Sequence, residues 1–390
     1  MKPKLLTFST LYPNACQPRH GIFVEERLRH LVGTGDVQAK VVAPVPWFPS
    51  SRAVFGQYGL YARVPQEETR RNIEVMHPRY PVIPKVGMRL APMLLATSLY
   101  RFLRGRIRDG YDFDLIDAHY LYPDGVAAVR LGQKLGKPVV LTARGTDVNL
   151  IPDYPGPRRQ IINACRQAQS VITVSEALRE ALIKLGVSKD KVVTLRNGVD
   201  LEAFKPQDKS AAKRALEVEG PVWLSVGHLI ESKGHHLAIE AAAKVPEVTL
   251  VIVGDGPEQT ALHALVRRLG VSDRVRFAGH EDHGSLPRYY SAADTLILAS
   301  SREGMPNVAL ESMACGTPVI ATAIGGTPEI VTVPEAGELM ESRSADSIVH
   351  AWARLRSRPG SVEATRRHAL EFGWEPTVRA QLTLYRSVVT

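Results

Sequence analysis

Residues 294–322 read Asp294-Thr-Leu-Ile-Leu-Ala-Ser-Ser-Arg-Glu303-Gly304-Met305-Pro306-Asn307-Val308-Ala-Leu-Glu311-Ser-Met-Ala-Cys-Gly316-Thr-Pro318-Val-Ile-Ala-Thr322. The apolar run at 294–298 is short and unalternating, the pattern of a strand covered on both faces. A turn falls at Glu303-Gly304, and Pro306 suits the first turn of a helix, where its missing N–H costs nothing. Gly316 and Pro318 stop that helix before a second apolar run at 318–321. Strand, helix and strand in so short a span make a βαβ unit, and hence a parallel sheet. Backbone N–H groups of Met305 to Val308 then collect at the carboxyl edge of that sheet, where a phosphate or diphosphate binds with help from the helix dipole. Glu311, over one helical turn further in, can accept hydrogen bonds from ribose hydroxyls, and Glu303 at the mouth of the turn can do the same for a sugar.

Spacing alone would not single out this glutamate pair. With 24 glutamates in 390 residues, roughly 1.5 pairs at a separation of eight arise by chance. A second such pair, Glu363 and Glu371, has no Gly or Pro around it and reads as a solvated helix face. The strand, turn and proline set the first pair apart.

The same alternation extends along the chain. Further strand-like runs lie at 4–9, 39–45, 73–77, 114–119, 138–143, 170–174, 192–195, 222–226, 248–253 and 274–277. Leu182-Ile-Lys-Leu-Gly-Val-Ser188 and Leu265-Val-Arg-Arg-Leu-Gly-Val-Ser272 resemble each other, and Gly186 and Gly270 are each placed to end a helix. One such unit per half predicts two separately built α/β domains. The helical pattern breaks between Asn197 and Gly220, so the domains are read as 1–200 and 201–365. A closing helical segment, 366–390, is expected to pack back onto the first.

Composition narrows the classes. Hydrophobic content of 44% and charged content of 23% exclude a mainly disordered or fibrous chain. Cys16, Cys165 and Cys315 are too far apart for a disulfide framework or a metal cluster, which points to a reducing, cytoplasmic setting. The segment Met1 to Thr10 reads as a first strand and not a signal peptide. The most membrane-like stretch, 90–103, is broken by Pro92, Thr97, Ser98 and Arg101 and falls short of the roughly 20 apolar residues a span requires. The net charge is +9. Residues 1–195 hold 28 Lys and Arg against 16 Asp and Glu, a net of +12, and residues 196–390 hold 21 against 24, a net of −3. The basic excess belongs to the first half alone, so the two halves are expected to meet different partners.

Other strand ends carry candidate chemistry. In Val226-Gly227-His228-Leu-Ile-Glu-Ser-Lys233-Gly234, the Lys233 ammonium can neutralise a diphosphate. Gly254-Asp-Gly256-Pro257 reads as no more than a tight turn into a helix. In Gly325-Gly326-Thr-Pro328-Glu329, an N-capping role for Thr327 competes evenly with ligand contact. In the first half, Gly21 of Gly21-Ile-Phe-Val24 permits close approach to a ligand. His119 ends the strand Asp117-Ala-His119, and Arg144-Gly145-Thr146-Asp147 offers a cation and a carboxylate at another strand end. The adjacent pair His235-His236 lacks the spacing of a helical metal site, and no metal is expected.

Together these motifs, with Asn197-Gly-Val-Asp200 and a closing Phe372-Gly-Trp374-Glu375, resemble glycosyltransferase family 4, retaining enzymes of the GT-B fold. That resemblance implies two Rossmann-like domains facing across a cleft, the second binding a nucleoside diphosphate sugar, UDP or GDP, and the first binding the acceptor. It implies that Glu311 holds the ribose, Lys233 the diphosphate, and Glu303 with Gly304, Met305, Pro306, Asn307 and Val308 the donor sugar. His119 would lie beside the anomeric carbon, Gly21 near the phosphates, and Arg144 and Asp147 on the sugar or acceptor side. No cofactor or divalent metal is implied. The family often pairs an arginine with the lysine at the diphosphate; His228 stands in that place here.

The expected activity is therefore hexosyl transfer, with retention, to a glycan or polyprenyl-linked acceptor, in cell-surface polysaccharide synthesis. An epimerase or phosphorylase on the same fold is the enzymatic alternative. A non-catalytic nucleic-acid binder using the basic half is the other, but no aromatic platform is interleaved with the basic residues, so no nucleic-acid partner is expected. The segment Lys85 to Arg108, in which Met88, Leu90, Met93, Leu95, Leu99 and Leu103 accompany six cations, suggests a helix docking peripherally on the anionic cytoplasmic face of an inner membrane. A helix packed on the sheet with its arginines in water is the competing reading.

Overall fold

The computed structural model describes residues 2–83, 87–358 and 360–389. Lys85, at the head of the segment considered for membrane docking, lies outside them. The chain divides into two compact units, residues 1–196 with 375–390, and residues 197–374.

The first unit carries β1 (Lys4–Phe8), β2 (Gln38–Val42), β3 (Val45–Pro46), β4 (Glu67–Arg70), β5 (Ile73–Met76), β6 (Arg79–Tyr80), β7 (Leu115–His119), β8 (Val139–Ala143), β9 (Ser170–Thr173) and β10 (Val192–Thr194). Eight of these form one sheet in the order β10-β9-β8-β7-β1-β2-β5-β4, and β3 pairs with β6 alone. All the pairs are parallel except β4 with β5. Every residue of β7 and of β8 is buried, the polar Asp117 and His119 included, as strands between two helical layers are.

The second unit carries β11 (Val222–Val226), β12 (Thr249–Val253), β13 (Val275–Gly279), β14 (Thr295–Leu298), β15 (Val319–Thr322) and β16 (Gly337–Met340), in the order β13-β12-β11-β14-β15-β16 and wholly parallel. Its core gathers Trp223, Ile239, Leu250, Ile252, Ile320 and Ile348. Trp352 meets Trp223 edge to face at 5.7 Å and 81°, a geometry aromatic quadrupoles favour.

In each sheet the strand order reverses once, between β1 and β7 and between β11 and β14. Helices on opposite faces diverge there and leave a crevice beyond the carboxyl ends of the two strands. Gly227–Gly234 and the segment after Leu298 border that crevice in the second unit; Ser9–Gly21 and the residues after His119 border it in the first.

Three departures from the sequence reading have physical causes. The strands β4 and β16 and the short pair β3 and β6 lack a distinctive apolar run, β4 being polar Glu-Glu-Thr-Arg on a sheet edge. The closing segment is two helices and not one: Val362–Ala369 ends in a short turn at Leu370–Phe372, and Trp374–Val389 begins beyond Gly373. The Ala91–Arg108 helix buries Pro92, Leu95, Ala96, Leu99 and Leu103. Its apolar stripe is therefore committed to the protein, leaving Met88, Leu90 and Met93 exposed at its head. No helix among the described residues is long and apolar enough to cross a membrane.

Candidate active site

In the second unit, β11 and β14 lie side by side, with Trp223 opposite Thr295 and Leu224 opposite Leu296. The loops that follow them are tied together, since Ser301 N–H donates to the Ser232 carbonyl at 2.8 Å. This brings the Lys233 ammonium to 2.7 Å from Glu303 Oε1. Glu303 is largely enclosed and Lys233 about two-thirds so, with side-chain exposures of 9% and 30%. The two groups the sequence placed 70 residues apart thus form one ion pair at the crevice.

Glycines from two neighbouring strand ends support these loops from behind. Gly254 has φ +144°, and a Cβ there would lie 1.9 Å from the Gly227 carbonyl oxygen. Leu229 N–H donates to the Asp255 carbonyl at 2.8 Å. The Gly254–Pro257 turn thus does more than start a helix: it holds the Gly227–Leu229 turn in place. Gly325 plays the same part for Glu303, whose carbonyl oxygen would be 2.1 Å from its Cβ. Thr327 neither caps by its side chain nor has a hydrogen-bond partner for its buried hydroxyl among the described residues. His228 is mostly exposed, its Nδ1 3.9 Å from Asp255 Oδ1.

Gly304, Met305 and Pro306 are buried, and Asn307 and Val308 are partly so. The helix runs Asn307–Ala314 with Pro306 at its cap and no side-chain capping bond, so Pro306 precedes the first turn instead of opening it. Asn197 Nδ2 donates to Asn307 Oδ1 at 3.0 Å. Both Glu311 oxygens are held, Oε1 by His283 Nε2 at 2.9 Å and Oε2 by the Tyr290 hydroxyl at 2.8 Å. Burial, and then the carboxylate itself, push the Tyr290 hydroxyl well above its ordinary pKa, so it remains a donor. Phe204 packs its ring edge against both aromatics, at 4.9 Å from His283 and 6.1 Å from Tyr290. The sequence reading missed Asn197 as a loop tie, and missed His283, Tyr290 and Phe204 altogether. The signal available was the loop after β13, a histidine-bearing strand end like those already singled out.

In the first unit, His119 is only 1% exposed. Its Nδ1 lies 2.7 Å from an Arg144 guanidinium nitrogen and its Nε2 3.1 Å from Asp117 Oδ2. A guanidinium only donates, so Nδ1 accepts and the ring proton sits on Nε2, donated to Asp117. Burial, together with Arg144, lowers the His119 pKa, while Asp117 opposes the change. Burial alone would raise the Asp117 carboxyl, but His119, Tyr385 and Arg27 together outweigh this and hold it below the usual range. With both nitrogens committed, His119 has no free one to act as acid or base in this arrangement.

Asp147 is bound inward. Its carboxylate accepts from the N–H groups of Leu121 at 2.8 Å, Gly145 at 2.7 Å and Arg144 at 3.0 Å. It clamps two strand-end loops together and presents no oxygen outward. Arg144 lies over the Phe23 ring at 5.2 Å, and burial lowers its pKa to about 9, which leaves it charged at neutral pH. Gly21 has φ +72°, and its Cβ would lie 2.2 Å from the Leu11 carbonyl oxygen. The chain's own loop, and not only a ligand, therefore demands glycine there. That loop is anchored by Asp124, which accepts from Thr10 N–H at 2.7 Å, from the Thr10 hydroxyl at 3.0 Å and from the Ser9 hydroxyl at 3.3 Å.

Each sheet thus presents polar side chains at its own crevice, where a doubly wound sheet reverses its strand order, and comparison with known proteins assigns the family. Residues 34–203 match the model of Glycosyltransferase Family 4, and residues 206–371 match that of Glycosyl transferases group 1. A D-inositol 3-phosphate glycosyltransferase of Kribbella flavida is 33% identical over 325 residues, covering 76% of each chain. The enzyme of the same name in Mycobacterium bovis is 31% identical over 76% of this chain and 67% of its own. The chain belongs to the family 4 glycosyltransferases and is a transferase of the GT-B fold. Among solved structures, sucrose-phosphate synthase from Thermosynechococcus elongatus superposes with a TM-score of 0.81 at 22% identity, covering 99% of this chain and 98% of that one. HepE of Anabaena, solved in complex with UDP, gives 0.75 at 22% identity, covering 99% and 100%.

Proposed function

We propose that this enzyme transfers a hexosyl group, with retention, from a nucleoside diphosphate sugar to a hydroxyl of a glycan or lipid-linked glycan. The observation that carries the donor half is the Lys233–Glu303 ion pair at the strand-order reversal between β11 and β14, with Glu311 on the helix that follows the Glu303 loop. Glu311 is prearranged by Tyr290 and His283 to take ribose hydroxyls. Lys233, released from Glu303, meets the diphosphate together with the uncapped N-terminus of the Asn307–Ala314 helix. Glu303, parted from Lys233 in the same exchange, takes hydroxyls of the sugar. Charge developing on the departing diphosphate is stabilised by that cation and those N–H groups, so leaving-group departure requires no metal ion. The acceptor oxygen bonds to the anomeric carbon as the bond to the phosphate oxygen breaks, and the acceptor proton passes to that phosphate oxygen on the same face.

HepE has been solved with UDP and, in another crystal, with UDP-glucose, which favours UDP as the donor base. On the acceptor side, the excess of +12 over residues 1–195 suits an anionic acceptor, and the relatives above are named for a phosphate-bearing one. A peripheral contact with an anionic leaflet is part of the same proposal. The apolar head at Met88, Leu90 and Met93 and the exposed Arg101, Arg104 and Arg108 would carry it. Greater co-sedimentation with anionic than with neutral vesicles is the expected result, and equal binding removes this contact.

The test of the activity is calorimetry across UDP-, GDP- and ADP-sugars, followed by product analysis with the donor that binds. One donor should bind to the wild type and at least tenfold more weakly to Glu311→Ala, because two ribose hydrogen bonds to a charged group are lost. Its product should keep the anomeric configuration. Absence of binding by any nucleotide sugar, or unchanged binding by Glu311→Ala, overturns the assignment.

A further inference from the structure

The C-terminal helix Trp374–Val389 sends two polar side chains into the first unit, Gln381 and Tyr385, which are 1% and 0% exposed. Neither belongs to any motif noted in the sequence, and fully buried polar groups are retained where they satisfy something. Gln381 Oε1 lies 2.8 Å from Nε of Arg27, which is itself buried, and another Arg27 nitrogen donates to the Leu195 carbonyl at 3.1 Å. The Gln381 amide nitrogen lies 2.5 Å from the Tyr385 hydroxyl oxygen. That hydroxyl lies beside Asp117, whose Oδ2 takes His119 Nε2 and, at 3.4 Å, the Thr7 hydroxyl, and whose buried Oδ1 has no hydrogen-bond partner among the described residues.

The proton on each bond follows from the donors at the two ends. Arg27 can only donate, so Gln381 must turn its oxygen toward it and its NH2 toward Tyr385. Tyr385 then accepts on its oxygen, and its own O–H is left to point at Asp117. From the other end, Arg144 can only donate to His119 Nδ1, so Nε2–H points at Asp117 as well. A low-dielectric interior strengthens such a chain only when every member is directed consistently, and here two guanidinium groups dictate the direction throughout.

We propose that Tyr385 and Gln381 are positioning residues: through Asp117 they fix the tautomer and orientation of His119, making the C-terminal helix a working part of the site. The proposal rests on the reading that His119 borders the transferred sugar. Removing the Tyr385 hydroxyl takes away the one donor directed at the buried Asp117 Oδ1 among the described residues, loosens the carboxylate's hold on His119 and raises the Asp117 pKa.

The experiment uses the full chain, with Tyr385→Phe, which preserves the ring, and Gln381→Leu. The expected result for Tyr385→Phe is a fall in kcat of about tenfold, the worth of one buried hydrogen bond to a charged group. KM for the donor should be unchanged, and the acid limb of the rate profile should move to higher pH. The double variant should be little worse than the poorer single variant, because both act through one chain. Independently of activity, 15N spectra of the wild type near neutral pH should show His119 protonated on Nε2 and unprotonated on Nδ1. A wild-type rate profile in Tyr385→Phe, additive losses in the double variant, or His119 in the other tautomer overturns the proposal. If the wild type bound no nucleotide sugar, the proposed function would fall instead, and the 15N result would still decide this inference.

Discussion

Asp124 offers a sharp test of the first unit's architecture. It is 0% exposed, and burial pushes its carboxyl from 3.8 to about 7, against the hydrogen bonds from Thr10 and Ser9 that partly stabilise the anion. In the unfolded chain it ionises near 3.8. Below that pH both states hold the proton and stability does not depend on it. Between 3.8 and 7 the native state keeps a proton the unfolded state has lost, so stability falls as pH rises. About a unit above 7 the loss is complete. The interval of about 3 pH units, at 1.36 kcal/mol each, amounts to about 4 kcal/mol. Asp124→Asn cannot ionise and escapes this loss. Its stability relative to wild type should therefore rise by roughly 2 kcal/mol between pH 5 and pH 7, and by roughly 3 kcal/mol by pH 8, where it levels off. Thermal denaturation of both proteins at four values from pH 5 to 8 reads this as a widening gap in Tm, on the order of 6–10 °C for a unit of this size. Other titrating groups are shared, so they cancel in the difference. A gap that is constant with pH, or that widens toward acid, would refute the buried, proton-retaining Asp124 and with it the anchoring of the Ser9–Leu11 loop.

Two glycine substitutions with the same sign of φ should differ widely. Gly254→Ala places a methyl against the Gly227 carbonyl and should displace the turn behind Lys233, weakening nucleoside diphosphate binding at least tenfold and lowering Tm; Gly270→Ala, at φ +67° with nothing within 4 Å, should cost only about 1 kcal/mol and leave binding intact. In the donor site, Tyr290→Phe should weaken nucleoside diphosphate binding by about threefold to tenfold, by freeing one Glu311 oxygen to rotate away. Equal affinity in that variant, measured by calorimetry, would show that Tyr290 merely fills space.

How far the site could be read from sequence depends on the range of the interactions involved. Glu303, Pro306 and Glu311 lie on one short strand-turn-helix segment, so their placement follows from local rules. Lys233 was equally legible as a strand-end cation. Its pairing with Glu303 was not, because that depends on β11 and β14 being neighbours although β12 and β13 separate them in the chain. His119 was found as a strand-end histidine, but whether its nitrogens are free is decided by Asp117 on the same strand and Arg144 on the next. Asp147 looked like an outward carboxylate and turned out to be a clamp, because three main-chain N–H groups converge on it. The Ala91–Arg108 helix shows the same division: its amphipathic period was plain, but a period does not say whether the apolar face meets protein or lipid.

By itself, then, the sequence determined two parallel α/β units, the positions of their strand-end turns, and the βαβ segment that carries Glu303 and Glu311. Periodicity, helix stops and proline geometry act over a few residues, and a single chain displays them. The tertiary structure alone decided which cation meets which carboxylate, which glycines back the loop before Lys233, and how Gln381 and Tyr385 reach Asp117. Those pairings arise only after strand order and crossover direction bring distant segments together, and then burial in a low-dielectric interior decides which polar groups must find partners.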